Sequence, residues 1–301
     1  LVISGLAEPA SAQDGDLAMA STAKYAERLS EGSAKAAMLW DGADWQALGL
    51  QSAILPARPR YAMSHLTTMM DPGQGFGSGF IGWNAQLGAS AVLREHVSIG
   101  ARAVIGERFI AHPGVRIGGD GFSFVTPEKS GVEAARESLG DQGNTDAQSW
   151  ARIASLGGVV IGDDVEVGAN STIDNGTIRP TRVGDRTKVD SLVQVGHNAV
   201  LGTDVLVCAQ AGVAGSASIG NFVVLGGQCG VADNLTIGDR VVVGGGSVIL
   251  SSVPANRVML GYPATEMKSQ INSYKALRRL PRYVGDIAAL KKAVFKQGSS
   301  D

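Results

Sequence analysis

Residues 181–250 read TRVGDRTKVDSLVQVGHNAVLGTDVLVCAQAGVAGSASIGNFVVLGGQCGVADNLTIGDRVVVGGGSVIL. Within this stretch an aliphatic residue occupies every sixth position without a break. These positions are Val183, Val189, Val195, Leu201, Val207, Val213, Ile219, Leu225, Val231, Ile237, Val243 and Ile249. A period of six suits a short strand followed by a corner, with the aliphatic side chain pointing inward. Three such sides close a coil of about 18 residues, and coils stack at about the 4.8 Å spacing of neighbouring strands. The stretch therefore predicts a mainly β protein built as a parallel β-helix.

The same period continues towards the amino terminus, with two interruptions. Aliphatic residues recur at Ile81, Leu87, Leu93, Ile99, Ile105 and Ile117, and again at Ile161, Val167 and Ile173. A polar stretch at about 124–155 breaks the register, and DNGTIRPT at 174–181 breaks it a second time. Long loops on a rigid repeat scaffold often carry function. We expect the first stretch to be a loop extruded from the coil.

The flanks of the coil lack the period. Residues 1–70 predict a small α/β domain, with strands in SAKAAMLW and SAILPA and a helix in STAKYAERLSEG that begins at Ser21 or Thr22. A glycine-rich linker is expected at 71–79, the β-helix at 80–264, and a helical extension at 265–301.

Composition supports this reading and limits the function. Forty-one glycines and only 5% aromatic residues favour an architecture with many tight corners. A net charge of −2 gives no general attraction to nucleic acid. Cys208 and Cys229 have no metal-ligand spacing and indicate buried thiols in a reducing compartment. No apolar run approaches a membrane span of about 18 residues, and the first ten residues lack a basic signal region. We expect a cytoplasmic protein.

The four histidines are the main candidates for chemistry. His65, His96 and His112 are scattered without metal-ligand spacing, so no metal site is predicted. The chain also has no GxSxG motif, no paired-carboxylate signature and no P-loop. His197 follows the inward Val195 by two residues, so it should stand at a corner and face outwards.

The residues stacked on His197 in the neighbouring coils, at intervals of 18, predict its surroundings. Gly215 and Asp233 follow it by 18 and 36 residues, so the imidazole should overlook a coil without a side chain and then a carboxylate. Asn198 stacks in the same way under Asn234. A histidine beside a glycine-floored groove suits a general base, and an exposed corner histidine is the equal alternative.

Several motifs together resemble the UDP-3-O-acylglucosamine N-acyltransferases of lipid A biosynthesis. They are HPGVRIGGDGFSF (112–124), GVVIGDDVEVGANSTIDNGTI (158–178), TKVDSLVQVGHNAVLG (187–202), GGQCGVADNLTIGD (226–239) and GYPA (261–264). The resemblance implies a left-handed coil, an exception to the usual crossover hand. It also implies a homotrimer with active sites between subunits. No cofactor is implied, because the acyl chain arrives on acyl carrier protein.

The implied reaction moves a 3-hydroxyacyl group from acyl carrier protein to the 2-amine of UDP-3-O-acylglucosamine. His197 matches the family's general base. From the column, we expect backbone N–H groups near Gly215 to hold the oxyanion, with Asn198, Asp233 and Asn234 completing the substrate groove. Asn234 stands where many members have a second histidine, and an amide carries no charge at pH 7.

The resemblance assigns the remaining candidate residues to three surfaces. Met19, Thr22 and Tyr25 align with the uracil-binding segment, where Met19 and Thr22 replace the family's usual Phe and Asn. Gly246, Val248 and Leu250 replace bulky Met positions at the acyl-chain end and indicate room for a different chain length.

The third surface is a basic cluster in the carboxy-terminal helix. Lys275, Arg278, Arg279 and Arg282 are candidates for docking the acidic carrier protein, with a simply solvated helix face as the alternative. Two other functions stay open at this point. One is a nucleotide-sugar acyltransferase that uses acyl-CoA or a different acceptor, and the other is a non-catalytic hexapeptide scaffold.

Overall fold

The structure is a computed structural model that describes residues 1–70, 80–138, 140–141, 143, 147–261 and 264–295. The chain divides into two compact units, 1–261 and 262–301. The linker expected at 71–79 lies outside the described residues.

The amino-terminal part is a four-stranded parallel sheet with short helices. Its strands follow chain order as Gly5–Ala7, Asp16–Met19, Ala36–Met38 and Ser52–Ile54. Its helical elements are the 3₁₀ turns Pro9–Ser11 and Leu29–Glu31, helix α1 (Ala23–Ala26) and helix α2 (Pro59–Met70).

The helix expected in STAKYAERLSEG is therefore much shorter than predicted. Helix α1 is a single turn that begins after Thr22. Ala26 is its only buried residue, so no apolar stripe exists to stabilise further turns. The strands at Ala36–Met38 and Ser52–Ile54 lie where the sequence predicts them.

The second part is a left-handed parallel β-helix with three faces, as expected. The first face contains Gln86–Leu87, Ala103–Ile105, Val159–Ile161, Thr181–Val183, Val200–Leu201, Ser218–Ile219 and Thr236–Ile237. The second contains Val92–Leu93, Ile110–Ala111, Glu166–Val167, Lys188–Val189, Leu206–Val207, Val224–Leu225, Val242–Val243 and Val258–Met259. The third contains Ser98–Ile99, Arg116–Gly119, Thr172–Asp174, Gln194–Val195, Gly212–Val213, Gly230–Val231 and Val248–Ile249.

The six-residue register is confirmed residue by residue. All twelve predicted inward positions from Val183 to Ile249 are between 0% and 5% exposed. Each strand pairs with the strand one coil later, as Val195 pairs with Val213 and Val213 with Val231. The coil core is thus a set of aliphatic columns, each side chain packed on its counterpart in the next coil.

The repeat also buries a second residue that the sequence analysis did not identify. Two positions before most inward aliphatic residues lies another buried small or aliphatic one, such as Val193, Ala211 or Cys229. Corner residues three positions after the end of a strand adopt φ near +60°, as Asn198 does at 62°. L-residues visit this region at a cost, and the stacked coils hold them there.

The first interruption is longer than the predicted stretch at about 124–155, because the chain leaves the coil directly after the strand Arg116–Gly119 and returns at Val159–Ile161. It forms a small subdomain. Strands Phe124–Val125 and Ala151–Arg152 pair antiparallel, and helix α3 (Gly131–Ser138) lies between them. The Ala154 N–H donates to the Thr67 hydroxyl of α2 at 3.0 Å, which joins the returning chain to the amino-terminal part.

The second unit contains helix α4 (Met267–Phe295), where the sequence predicts a helical extension. Its described side chains are exposed, and Pro281 lies within it. None of the helices in the described ranges combines the length and apolar character that crossing a bilayer requires.

The aliphatic columns should dominate stability. Leu225 is fully buried, whereas Leu192 is 54% exposed at a corner of the same coil stack. We expect Leu225→Ala to lower the free energy of unfolding by about 2–5 kcal/mol through lost packing and a cavity. Leu192→Ala should cost less than about 1 kcal/mol. Denaturant unfolding at equal protein concentration measures both, and equal losses would contradict the inward assignment.

Candidate active site

His197 stands in a slot between two glycines. A Cβ atom built on Gly215 would lie 2.6 Å from His197 Nε2, and one built on Gly121 would lie 2.6 Å from His197 Cβ. Neither position therefore accepts a side chain without moving the histidine. The structure brings His197 and Gly215 together as the 18-residue spacing predicts, and it adds Gly121 from the first interruption.

A side-chain amide orients the imidazole. His197 Nδ1 lies 2.9 Å from Asn198 Oδ1. That oxygen also accepts from the Thr177 backbone N–H at 3.1 Å and the Thr177 hydroxyl at 2.9 Å, while Asn198 Nδ2 donates to the Arg179 carbonyl at 3.0 Å. These contacts assign the amide with its oxygen towards the histidine. Nδ1 must therefore carry the proton in the neutral ring, which leaves Nε2 unprotonated and able to accept one.

The second interruption of the repeat holds Asn198 in place. Arg179 Nη1 donates to the Asn198 carbonyl at 2.7 Å, and the Asn198 N–H donates to Thr181 Oγ1 at 2.9 Å. Asn198 is only 6% exposed. The prediction that it lines the substrate groove is therefore corrected, because its side chain turns into the loop at 175–180 and acts on His197 instead.

A cleft of about 420 Å³ opens beside the imidazole. It is lined by Asp120, Phe122, Asp174, Gln194, Gly196, His197, Val213, Ala214 and Gly215. Asp120 and Phe122 come from the first interruption, whose Gly121 N–H is anchored on Ser155 Oγ at 2.9 Å. The cleft thus combines the third face of the coil with the first interruption.

Asp174 is the most perturbed group in the cleft. Burial raises its pKa to about 6, the hydrogen bond from Gln194 opposes the rise, and the charge of Asp120 adds to it. Gln194 Nε2 donates to Asp174 Oδ2 at 2.8 Å, and the Thr172 hydroxyl donates to Oε1 of the same side chain, which fixes the direction of the amide. Among the described residues, no lysine or arginine lines this cleft.

The other predicted groove residues lie apart from this cleft. Asn234 is an exposed corner residue with φ 60°, and its Nδ2 donates to Asp233 Oδ2 at 3.0 Å. Neither residue belongs to the cleft lining. Two coils separate Asp233 from His197, and the cleft extends sideways towards Asp120 and Asp174 rather than along that column.

The predicted uracil-binding residues differ in their exposure to solvent. Met19 is only 3% exposed and packs with Met38 and Ile178 between the amino-terminal sheet and the coil. It has no free face for a base ring, so its predicted stacking role is corrected. Thr22 and Tyr25 are exposed at the start of α1.

The predicted acyl-chain residues lie near the end of the described coil. Gly246 is a corner with φ 68° and open space around it, and Val248 and Leu250 are exposed. In the second unit, Lys275, Arg278, Arg279 and Arg282 are exposed and lie three or four residues apart along α4, with Arg278 and Arg279 adjacent.

The other histidines and the cysteines show no arrangement for catalysis or metal binding among the described residues. His112 Nε2 pairs with Glu166 at 2.8 Å, and His65 stacks edge-on against Tyr61. Burial, with a smaller contribution from the neighbouring Cys208, raises the pKa of Cys229 to about 11, so it is a poor nucleophile. Within the described ranges, no three His, Cys, Asp or Glu side chains are grouped so as to hold a metal ion.

A hexapeptide β-helix with an oriented imidazole on a glycine floor defines a class, the hexapeptide-repeat acyltransferases. No family model matches the chain. The chain is 56% identical to a UDP-3-O-acylglucosamine N-acyltransferase of Ruegeria pomeroyi, over 100% of this chain and 94% of that protein. It is 48% identical to one of Paracoccus denitrificans, over 98% and 92%. The chain therefore belongs to the UDP-3-O-acylglucosamine N-acyltransferase family and is an acyltransferase.

The solved structures agree on the fold. A UDP-N-acetylglucosamine O-acyltransferase from Moraxella catarrhalis superposes with a TM-score of 0.50 at 28% identity, over 72% of this chain and 82% of that chain.

The sequence analysis did not single out five residues that lie in the cleft or against His197, namely Asp120, Gly121, Phe122, Asp174 and Gln194. All lie inside quoted motifs, and four lie where the six-residue register stops. The two interruptions of the six-residue repeat indicated where such residues lie. The repeat spacing predicts contacts only between residues that belong to the coil, so it could not predict which residues of the interruptions contact His197.

The glycine slot predicts a sharp contrast between two Gly→Ala substitutions. Gly215→Ala places a methyl group on His197 Nε2, so we expect acyl transfer to fall at least about 100-fold. Gly230→Ala adds the same group one coil later into open space and should keep near wild-type activity. Initial rates with circular dichroism as a folding check measure this, and an active Gly215→Ala protein would contradict the slot.

The buried Asp174 predicts a pH-dependent stability change. Its folded pKa lies above the unfolded value of 3.8, so ionisation costs folding free energy as pH rises from about 4 to above 6. We expect Asp174→Asn to raise the free energy of unfolding by about 3 kcal/mol at pH 7 and by less than about 1 kcal/mol at pH 4. Urea unfolding at both pH values tests this, and a pH-independent difference would count against it.

Proposed function

We propose that this chain moves a 3-hydroxyacyl group from acyl carrier protein to the 2-amine of UDP-3-O-acylglucosamine in lipid A biosynthesis, with His197 as general base. One observation carries the proposal. His197 Nε2 is left unprotonated by the Nδ1 contact to Asn198 and faces an open cleft over Gly215. The acceptor is inferred from the 56% identical relative, a UDP-3-O-acylglucosamine N-acyltransferase.

The proposed chemistry needs one base and one oxyanion site. The amine attacks the thioester carbonyl, its proton passes to His197 Nε2, and the imidazolium then protonates the leaving thiolate. Asn198 Oδ1 accepts from Nδ1 throughout, so the ring keeps its orientation. The Gly215 N–H has no acceptor among the described residues and lies beside the imidazole, which suits it to hold the oxyanion.

The remaining parts of the proposal concern recognition and assembly. Thr22 and Tyr25 are exposed and available to a nucleotide, while Gly246, Val248 and Leu250 offer surface to an acyl chain. The basic side chains of α4 complement an acidic carrier protein. We further propose a cytoplasmic homotrimer that needs no cofactor, in which subunits meet at the catalytic corner.

A different nucleotide-sugar acceptor is the second candidate, and one observation favours it. Met19 is buried, so part of the expected nucleotide-recognition surface is absent. The donor is tested in the same assay by comparing acyl carrier protein with CoA.

The test uses the full chain with UDP-3-O-acylglucosamine and the same 3-hydroxyacyl group on acyl carrier protein or on CoA. Mass spectrometry of the product should show one added acyl group in amide linkage, formed faster from the carrier protein. His197→Ala should lower the rate about 10²–10⁴-fold, the usual contribution of a general base.

His112→Ala is the matched control, because it removes a partly exposed histidine whose imidazole pairs with Glu166 and which does not line the cleft. It should keep the wild-type rate. A wild-type rate in His197→Ala would exclude His197 as the base. Absence of amide product from either donor in the wild type would exclude the proposed acceptor.

A further inference from the structure

Asp174 is an acidic side chain in the cleft that no described cation neutralises. It lines the cleft together with Asp120 and the glycine floor. Among the described residues Asp174 forms no ion pair, and the neutral amide of Gln194 donates a hydrogen bond to it. A partly buried carboxylate without a cation is costly, so this position favours a cationic group of the substrate.

The charge of Asp174 favours one part of the substrates over the others. The diphosphate of a UDP-sugar and the phosphate of a phosphopantetheine arm are anions, which the Asp174 carboxylate repels. The amine of the acceptor is the one group of the proposed substrates that carries positive charge, and comparable amino groups titrate near pH 8. Asp174 therefore matches the amine and disfavours the phosphates.

Protonation poses a problem that the general base alone does not solve. An ammonium ion has no lone pair and cannot attack a thioester. It must lose one proton before attack and a second proton during attack, and His197 Nε2 has room for one of them. A second proton acceptor in the same cleft lets the enzyme use the ammonium form, which predominates below pH 8, as well as the neutral amine.

We infer that Asp174 binds the 2-ammonium group of the acceptor and takes its first proton, so that His197 meets a neutral amine. The inference rests on the proposed function and deepens it. One N–H bond breaks as an O–H bond forms on Asp174, which leaves the nitrogen with a lone pair. The N–C bond then forms as the C–S bond breaks, the second proton goes to His197 Nε2 and on to the thiolate, and protonated Asp174 releases its proton to solvent.

The surroundings of Asp174 suit this role. Gln194 donates to Oδ2 and is itself held by the Thr172 hydroxyl, so the carboxylate is oriented by a neutral chain that adds no competing cation. Burial raises the pKa of Asp174 to about 6, close enough to that of an amine for proton transfer in either direction. The strand Thr172–Asp174 pairs with Gln194–Val195, which places this group one coil from the His197 corner.

The test compares an amine with a hydroxyl at the same position of the acceptor. Asp174→Asn keeps the shape and an oxygen that can accept from Gln194, but it removes the charge and the proton acceptor. We expect kcat/KM for UDP-3-O-acylglucosamine to fall about 10- to 100-fold. The Ki of the 2-hydroxyl analogue, used as a competitive inhibitor, should stay within about twofold, because a hydroxyl brings neither charge nor an extra proton.

Asp239→Asn is the matched control. Asp239 is an exposed corner residue whose Oδ1 accepts from the Asn221 N–H, a bond that asparagine can keep. This variant should match the wild type in both measurements. Circular dichroism and urea unfolding confirm that both variants are folded.

The possible results separate a failure of the inference about Asp174 from a failure of the proposed function. A kcat/KM for Asp174→Asn within threefold of wild type would overturn the inference, and so would a Ki that rises by the same factor as kcat/KM falls, since that pattern marks a structural role. If the wild type itself forms no amide, the proposed function fails and the inference falls with it. Wild-type activity with an unaffected Asp174→Asn overturns the inference alone.

Discussion

The stacking of each aliphatic side chain on its counterpart in the next coil is the constraint on which the whole structure depends. Val195 lies on Val213, and Val213 lies on Val231, through paired parallel strands. Because each inward residue is fixed by its neighbours, every outward residue in the same coil is fixed too. Gly215 can lie under His197 only because both keep a constant offset from this column.

The site forms where the repeat is interrupted. The first interruption brings Gly121, Asp120 and Phe122 beside the His197 corner, and the second supplies Thr177 and Arg179 to hold Asn198. A regular coil could place a histidine over a glycine, but it could not orient the ring or close a cleft around it. The scaffold thus contributes rigidity, and the interruptions contribute the chemistry.

The second interruption also joins the catalytic corner to the amino-terminal sheet. Ile178 packs with Met19 and Met38, and Arg179 Nε lies 4.0 Å from Glu8 Oε1. Burial raises the pKa of Glu8, and Arg179 opposes that rise. The loop at 175–180 therefore contacts the amino-terminal sheet through Ile178 and Arg179, and it contacts Asn198 through Arg179. These contacts connect the sheet to the residue that orients the imidazole.

Periodicity made the coil predictable from the sequence, because one rule fixes a whole column of residues such as Val183 to Ile249. The same rule placed Gly215 beneath His197. The repeat could not predict the burial of Met19, which depends on a contact with Ile178 far along the chain. It also could not predict the direction of the Asn198 side chain, which binds the loop at 175–180 outside the repeat. Asp174 closes a strand of the register, but its role depends on Asp120 and Gln194, and that neighbourhood arises only on folding.

Base catalysis by His197 depends on which nitrogen of its ring is protonated. Neutron diffraction from crystals of the deuterated chain, grown at a pH where His197 is neutral, shows directly which nitrogen carries the deuteron. We expect a deuteron on Nδ1, directed at Asn198 Oδ1, and none on Nε2. A deuteron on Nε2 with a bare Nδ1 would contradict the proposed role of His197, because the nitrogen that faces the cleft could then accept no proton.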